Sequence, residues 1–194
     1  ETADGVDALC GGTTKSGYTA WSKYLDDGLD LRVDTSGCNF DHQPVYLFSV
    51  LQGTGGGMYA GTSIIYDASY SEFRVYLLHS SLRGTELLEH AQRNWQLSWI
   101  AGKASTKQAR DGHFIGSAVH GSWREVGSAF MLDVDASAAK FVHTPNYVVT
   151  LQVANSHFRV QGSHHVYSPN KDGFRVFVLG ADNSLTLSEA KTWK

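Results

Sequence analysis

Phe40-Asp41-His42-Gln43-Pro44-Val45-Tyr46 returns 101 residues later as Phe141-Val142-His143-Thr144-Pro145-Asn146-Tyr147. Phe, His, Pro and Tyr recur in place, and the agreement spreads outward at the same offset without a gap. Upstream, Leu31, Val33, Asp34 and Ser36 meet Leu132, Val134, Asp135 and Ser137. Downstream, Gly61 and Tyr66 meet Gly162 and Tyr167, Phe73-Arg74-Val75 meets Phe174-Arg175-Val176, and Leu78 meets Leu179. Self-similarity at one fixed spacing marks a chain assembled from repeated supersecondary units. Phe40, Pro44, Tyr66 and Phe73, with Phe141, Pro145, Tyr167 and Phe174, are therefore read as repeat-equivalent structural residues.

Each unit reads as short strands. Pro44 begins an apolar run to Leu51, the glycine-rich stretch 53–57 breaks it, and Thr62 to Tyr66 and Phe73 to Leu78 follow. In the second unit the runs are 147–153, 158–161, 164–167 and 174–179. Runs of this length rich in Val, Ile, Tyr and Phe, bounded by Gly, Asn, Asp and Pro, carry the strand signature. Ser168 to Gly173 reads as a hairpin connection, with Gly173 supplying a positive φ. Glu86 to Ala91 predicts a helix of a turn or two. The predicted fold is all-β, a tandem repeat of two small antiparallel β-sandwich units related by internal duplication. Its parts are an N-terminal arm (1–20), a first sandwich (21–102), a connection (103–122) and a second sandwich (123–194).

The units differ at their ends. Unit one continues past Ala91 to Trp95-Gln96-Leu97-Ser98-Trp99-Ile100, a well-marked final strand, whereas unit two reaches Ala190 and then Trp193-Lys194. The second unit thus reads as lacking its last strand. An unfilled sheet edge exposes unpaired N–H and C=O groups and invites another strand, which the N-terminal arm, a C-terminal extension or a neighbouring chain could supply.

Composition narrows the function. The 194 residues are 42% hydrophobic and 18% charged, enough apolar material for a real core. A net charge of −3 offers no basic stripe for phosphates, which argues against nucleic acid. No apolar run reaches the roughly 18 residues of a membrane span. The start at Glu1 shows no signal-peptide pattern and fits a mature or trimmed N-terminus. For Cys10 and Cys38 two readings stand: one bridge closing the arm onto the first strand region in an oxidising compartment, or two reduced small hydrophobes.

Catalytic signatures are missing from the sequence: there is no G-x-S-x-G elbow, P-loop or C-x-x-C. The 53–61 glycines read as a hairpin tip, not a phosphate cradle. His164 and His165 would point to opposite faces of a strand and could not share one ion without a bulge. His42, His143 and His157 likewise read as structural or surface residues, so no metal or cofactor is predicted. Asp34 and Asp135 are equivalent in the repeat and suit turn capping with Ser36 and Ser137. Catalytic carboxylates need two different environments, so the chain reads as a non-enzyme. Arg74 and Arg175 point outward from mid-strand, either covering apolar surface with their stems or contacting a partner chain or sugar. Tyr59, Tyr70 and Trp123 could stack on sugar rings. Trp193, with the arm around Cys10 to Trp21, is a candidate assembly contact.

Two family resemblances follow from these residues. The succession Phe40, Pro44-Val45, Tyr66, Phe73, Trp95 and Trp99-Ile100 resembles the H-type lectin fold, a six-stranded antiparallel sandwich. That resemblance implies sugar binding, usually by trimers, although no sugar-contacting residue carries over to a single position. Over nearly the whole chain, the tandem units, the incomplete second unit and the lack of a catalytic motif resemble the pyrenoid shell proteins of diatoms and related algae. This implies self-assembly into a sheet, tube or filament around the Rubisco-containing compartment of the chloroplast. Val33-Asp34-Thr35-Ser36-Gly37-Cys38 and Phe73-Arg74-Val75-Tyr76 are also similar to patterns in secreted proteins of oomycete type, where a disulfide would be natural. The leading expectation is a self-associating structural protein in the pyrenoid, and the alternative is a secreted carbohydrate-binding module.

Overall fold

A computed structural model describes residues 9–52, 61–104, 114–118, 122–153, 159–161, 165–180 and 185–194. The fold is all-β, with three antiparallel sheets and short helices. The glycine-rich stretch 53–57, Tyr59, His157, His164 and most of the connection lie outside the described residues.

The first half is a two-sheet sandwich. One sheet takes β1 (Cys10–Thr13), β4 (Val45–Gln52) and β7 (Trp95–Gly102) in the order β1-β7-β4. The other takes β2 (Ser22–Tyr24), β3 (Gly28–Asp34), β5 (Gly61–Tyr66) and β6 (Glu72–His79) in the order β2-β3-β6-β5. Strand alternation sends Leu29, Leu31 and Val33 of β3 and Phe73, Val75 and Leu77 of β6 inward, where they meet Phe48 and Leu97. Within the N-terminal arm, β1 pairs antiparallel with β7, Cys10 opposite Ala101.

Between β6 and β7 runs α1 (Gly84–Asn94), three turns where the sequence suggested one or two. Leu87 and Ala91, one turn apart, are fully buried against the sandwich, and this tertiary burial extends the helix beyond its short apolar signature. Glu86 in the first turn and Arg93 in the last complement the helix dipole.

Among the described residues the second half contains one sheet. Its strands are β8 (Arg124–Val126), β9 (Ala129–Asp135), β10 (Val160–Gln161), β11 (Val166–Asn170) and β12 (Gly173–Gly180). β12 pairs with β9 on one side and with β10 and β11 in succession on the other. The 101-residue offset recurs in the registers: Val33 opposes Phe73 as Val134 opposes Phe174. It recurs in finer detail too. Tyr46 donates to the Ser69 carbonyl at 2.9 Å, and Tyr147 to the Asn170 carbonyl at 2.8 Å. Each tyrosine ring lies 4.4 Å from its Phe, Phe73 or Phe174. After β3 and β9 comes a 3-10 turn (Ser36–Cys38, Ser137–Ala139), and each turn is closed by a left-handed residue, Asn39 or Lys140.

Three expectations need correction. The stretch 147–153 forms no ladder among the described residues; Gln152 makes an isolated parallel bridge to Ile65 of β5. Gln152 also exchanges backbone hydrogen bonds with Lys194, at 2.8 and 2.9 Å. The hairpin 168–173 is tighter than predicted, since β11 runs to Asn170 and only Lys171 and Asp172 turn the chain. Gly173 is not among the positive-φ residues; Ser168 is, at φ 47°. A Cβ on Gly173 would sit 2.2 Å from the Val134 carbonyl oxygen, so glycine serves close strand approach there.

α2 (Leu187–Ala190) closes the second core, its Thr186 and Glu189 forming a reciprocal capping box. That core joins Phe130, Leu132, Val176, Val178, Trp123 and Trp193 with Ile64 of β5. The next residue, Ile65, belongs to the first core.

Candidate functional site

The sheet β2-β3-β6-β5 turns a polar cluster away from the first core. Asp30 sits mid-strand between Leu29 and Leu31, so its side chain takes the opposite face, yet it is only 5% exposed. Tyr66 donates to Asp30 Oδ1 at 2.5 Å, and Arg74 Nη2 pairs with Oδ2. The Arg74 guanidinium lies 5.3 Å from the centre of the Tyr66 ring. Tyr24 meets Tyr66 and Tyr76 edge-on, with centroids 6.1 and 5.3 Å away. Gly28 makes room for this packing, because a Cβ there would fall 2.3 Å from the Tyr76 ring.

Burial, then donation to Asp30 and the Asp30 charge, push the Tyr66 phenol well above its usual value. Burial, helped by the nearby charge of Asp27, pushes Tyr76 up to about 12. Both phenols are thus held neutral, and both Asp30 oxygens are engaged. Such a cluster fixes a sheet face; it presents no free base or nucleophile.

The second half lacks the network, because the positions of Asp30 and Tyr76 hold Met131 and Phe177. Arg175 pairs instead with Asp133, its direct cross-strand neighbour, at 2.6 Å. Arg124 reaches the same carboxylate at 2.5 Å. The hydrogen bond from Arg175, with the charges of both arginines, holds Asp133 below the usual carboxylate range. Arg74 leaves its sheet on the face opposite Phe73 and Val75, and Arg74 and Arg175 are each tied to a carboxylate.

Cys10 and Cys38 are joined, Cα to Cα 5.9 Å, which fastens β1 to the turn after β3. Trp123 and Trp193, expected as contacts, are 3% and 1% exposed; they pack edge-on with centroids 5.5 Å apart and belong to the core. Trp193 also meets Phe130 edge-on, with centroids 5.9 Å apart, so both indoles are taken inward with the aliphatic side chains of this core. Of the aromatics suggested for sugar stacking, Tyr70 is exposed. Asp34 and Asp135 accept the Ser36 and Ser137 N–H groups at 2.8 Å, the capping role read from sequence. His42 lies beside its neighbour Asp41 on the surface. Among the described residues no group of three or more His, Cys, Asp or Glu could hold a metal ion, and no helix is long and apolar enough to cross a membrane.

Residues 146–153 stand, at the 101-residue offset, where the first half has β4. Tyr147, Val149, Leu151 and Val153 turn toward the core, whereas Asn146 and Val148 face out. Phe174 and Val134 beside it are only half-buried, although their equivalents Phe73 and Val33 are buried. The difference has a visible cause: in the first half Trp99 of β7 stands edge-on to Phe73, at 6.0 Å. No family model, curated protein or solved structure matches the chain.

Proposed function

We propose that the chain is a non-enzymatic building block that associates with copies of itself. One observation carries this reading: among the described residues the second half forms one sheet, and its Phe174 and Val134 are only half-buried where the equivalent Phe73 and Val33 are buried. Half-covered apolar side chains are closed most readily by another protein surface. A second feature supports association. The outer face of β1-β7-β4 carries Thr13, Ser49 and Ser98 with Leu47 and Ile100, and no charged residue among those cross-strand partners. In the setting suggested by resemblance, the assembly would be a sheet around the Rubisco-containing pyrenoid. The Cys10–Cys38 bridge supports an oxidising, secreted setting more than a chloroplast one.

Carbohydrate recognition, the second reading, loses Trp123 to the core and retains Tyr70, without an assembled pocket around it. The deciding measurement is sedimentation of the purified chain over a wide concentration range, with negative-stain images of any large species. Discrete oligomers, sheets or filaments are expected. A monomer at every concentration and salt, together with glycan binding that Tyr70→Ala abolishes, would replace this reading with the carbohydrate one.

A further inference from the structure

We propose that two copies pack face to face through the outer side of the second half's sheet, about a two-fold axis running along the strands between β9 and β12. This rests on the self-association reading and gives it an interface.

Alternation along the strands defines the face. Phe130 and Leu132 of β9, with Val176 and Val178 of β12, lie in the second core. Met131, Asp133, Arg175, Phe177 and Leu179 therefore take the opposite side of the sheet. The register sets them in rows: Arg175 beside Asp133, Phe177 beside Met131, and Leu179 beside Ala129. One end of the face is charged and the other apolar. At the apolar end Leu179 and Val126 of β8 are each 46% exposed. Tyr167 of β11, 45% exposed, stands edge-on to Phe177 with centroids 5.0 Å apart. The corresponding side of the first half is closed. Tyr66 and Tyr76, at the positions of Tyr167 and Phe177, are 7% and 2% exposed, and Ile64, opposite Tyr76, lies in the second core.

A second copy fits because each row is its own complement. A half-turn about this axis lays β12 of one copy over β9 of the other with the rows kept level. Arg175 then faces the partner's Asp133, and Asp133 faces the partner's Arg175. Phe177 meets the partner's Met131, an aromatic ring on a thioether. Leu179 meets the partner's Ala129, large against small, as interdigitating layers require. The same turn carries Tyr167 on β11 toward the partner's Arg124 on β8, a cation beside an aromatic ring. Asp135, one row further on this side, lies beside Gly173 in the register and so faces the partner's Gly173.

The charged end is suited to a second carboxylate. Within one chain Arg175 and Arg124 share Asp133, at 2.6 and 2.5 Å. Each guanidinium carries five N–H donors, so both retain donors for the partner. Four strands about 4.8 Å apart and some six residues long give a footprint of roughly 400 Å² a side, the low end for a specific contact. The dimer is therefore expected to form reversibly and to weaken as salt screens its Arg–Asp pairs. The contact is isologous and closes as a dimer, so growth into a larger assembly needs a second surface. The uncharged outer face of β1-β7-β4 is one such surface.

The test uses the whole chain. Sedimentation equilibrium compares the parent with Leu179→Arg, which places a cation at an exposed position over the partner's Ala129. A second measurement mixes Ala129→Cys with Leu179→Cys in oxidised glutathione. The two native cysteines are bridged to each other, so each variant brings a single new thiol. Those thiols face each other across the proposed axis, and this arm does not depend on tolerance of arginine. The parent is expected to dimerise, and Leu179→Arg to dimerise at least about 10-fold more weakly with unchanged circular dichroism. The mixture should yield several-fold more reducible covalent dimer than either cysteine variant alone. A parent that associates while Leu179→Arg associates equally well, and a mixture that cross-links no better than its components, would overturn this contact and leave the building-block reading standing. A parent that stays monomeric would overturn both.

Discussion

Asp30 is a carboxylate placed where alternation along β3 should have left a solvated side chain. Its partners come from β5 and β6, so the cluster exists only when Asp30 opposes Tyr76 and Tyr66 opposes Arg74 in register. That is why sequence reading saw Arg74 but not its partner: Asp30 and Arg74 are 44 residues apart, and only the pairing register brings them together. By contrast, Asp34 and Asp135 were legible because a capping carboxylate works two residues from its target. Replacing Asp30→Asn leaves Arg74 without its counter-charge. The expected loss is about 2 kcal/mol, less than for a fully buried pair because Arg74, 36% exposed, reaches water. A urea midpoint shifted by less than a quarter of that would show the pair to be worth little. The phenols give an alkaline signature. Unfolded tyrosine ionises near pH 10, roughly, whereas folded Tyr76 does so at about 12. Across that window the folded chain holds the extra proton, so stability is intact below it and falls as pH rises through it. Phenolate absorbance followed against pH should show unfolding on this limb, and Tyr76→Phe should flatten it. On the acid side, hydrogen bonds from Ser36 and Ser137 hold Asp34 and Asp135 below the usual carboxylate range, so their contribution is lost only as pH falls through those lowered values.

At the scale of elements, strand contacts that look interchangeable between the halves differ in their steric margins. Glu72 and Gly173 occupy equivalent places opposite Asp34 and Asp135, yet only the glycine is pressed against a neighbouring carbonyl. Gly173→Ala should therefore cost about 1–3 kcal/mol through overpacking, with the urea slope unchanged. A full-stability variant would mean that β9 and β12 can separate freely at this end. β1 is a four-residue strand whose glycines bury little, and it depends on the Cys10–Cys38 bridge to stay on β7. The bridge spans 28 residues, for which the chain-entropy account gives about 3.5 kcal/mol. Reduction, or Cys38→Ser, should lower Tm by roughly 8 °C. No shift on adding reductant would indicate that β1 is held by its ladder alone. The bridge was one of two readings open from sequence, because spacing alone cannot tell a distant pair of thiols from a pair brought to 5.9 Å.

For the whole molecule, the all-β class and most strands of the first half were legible from alternation and turn residues. What could not be read was the placement of 147–153, which among the described residues forms no ladder and meets β5 through Gln152 opposite Ile65. Nor could periodicity assign Trp123 and Trp193, since an aromatic beside a turn suits a loop tip as well as a core. The neighbours Ile64 and Ile65 bear on how the molecule fails under heat. They face opposite ways into separate cores, which makes β5 a party wall between two rooms. Neither room can be emptied while the wall still stands squarely in the other, so the halves should melt together. A calorimetric scan is expected to give one peak whose van't Hoff and calorimetric enthalpies agree, and Ile64→Ala should move that whole peak downward instead of splitting it.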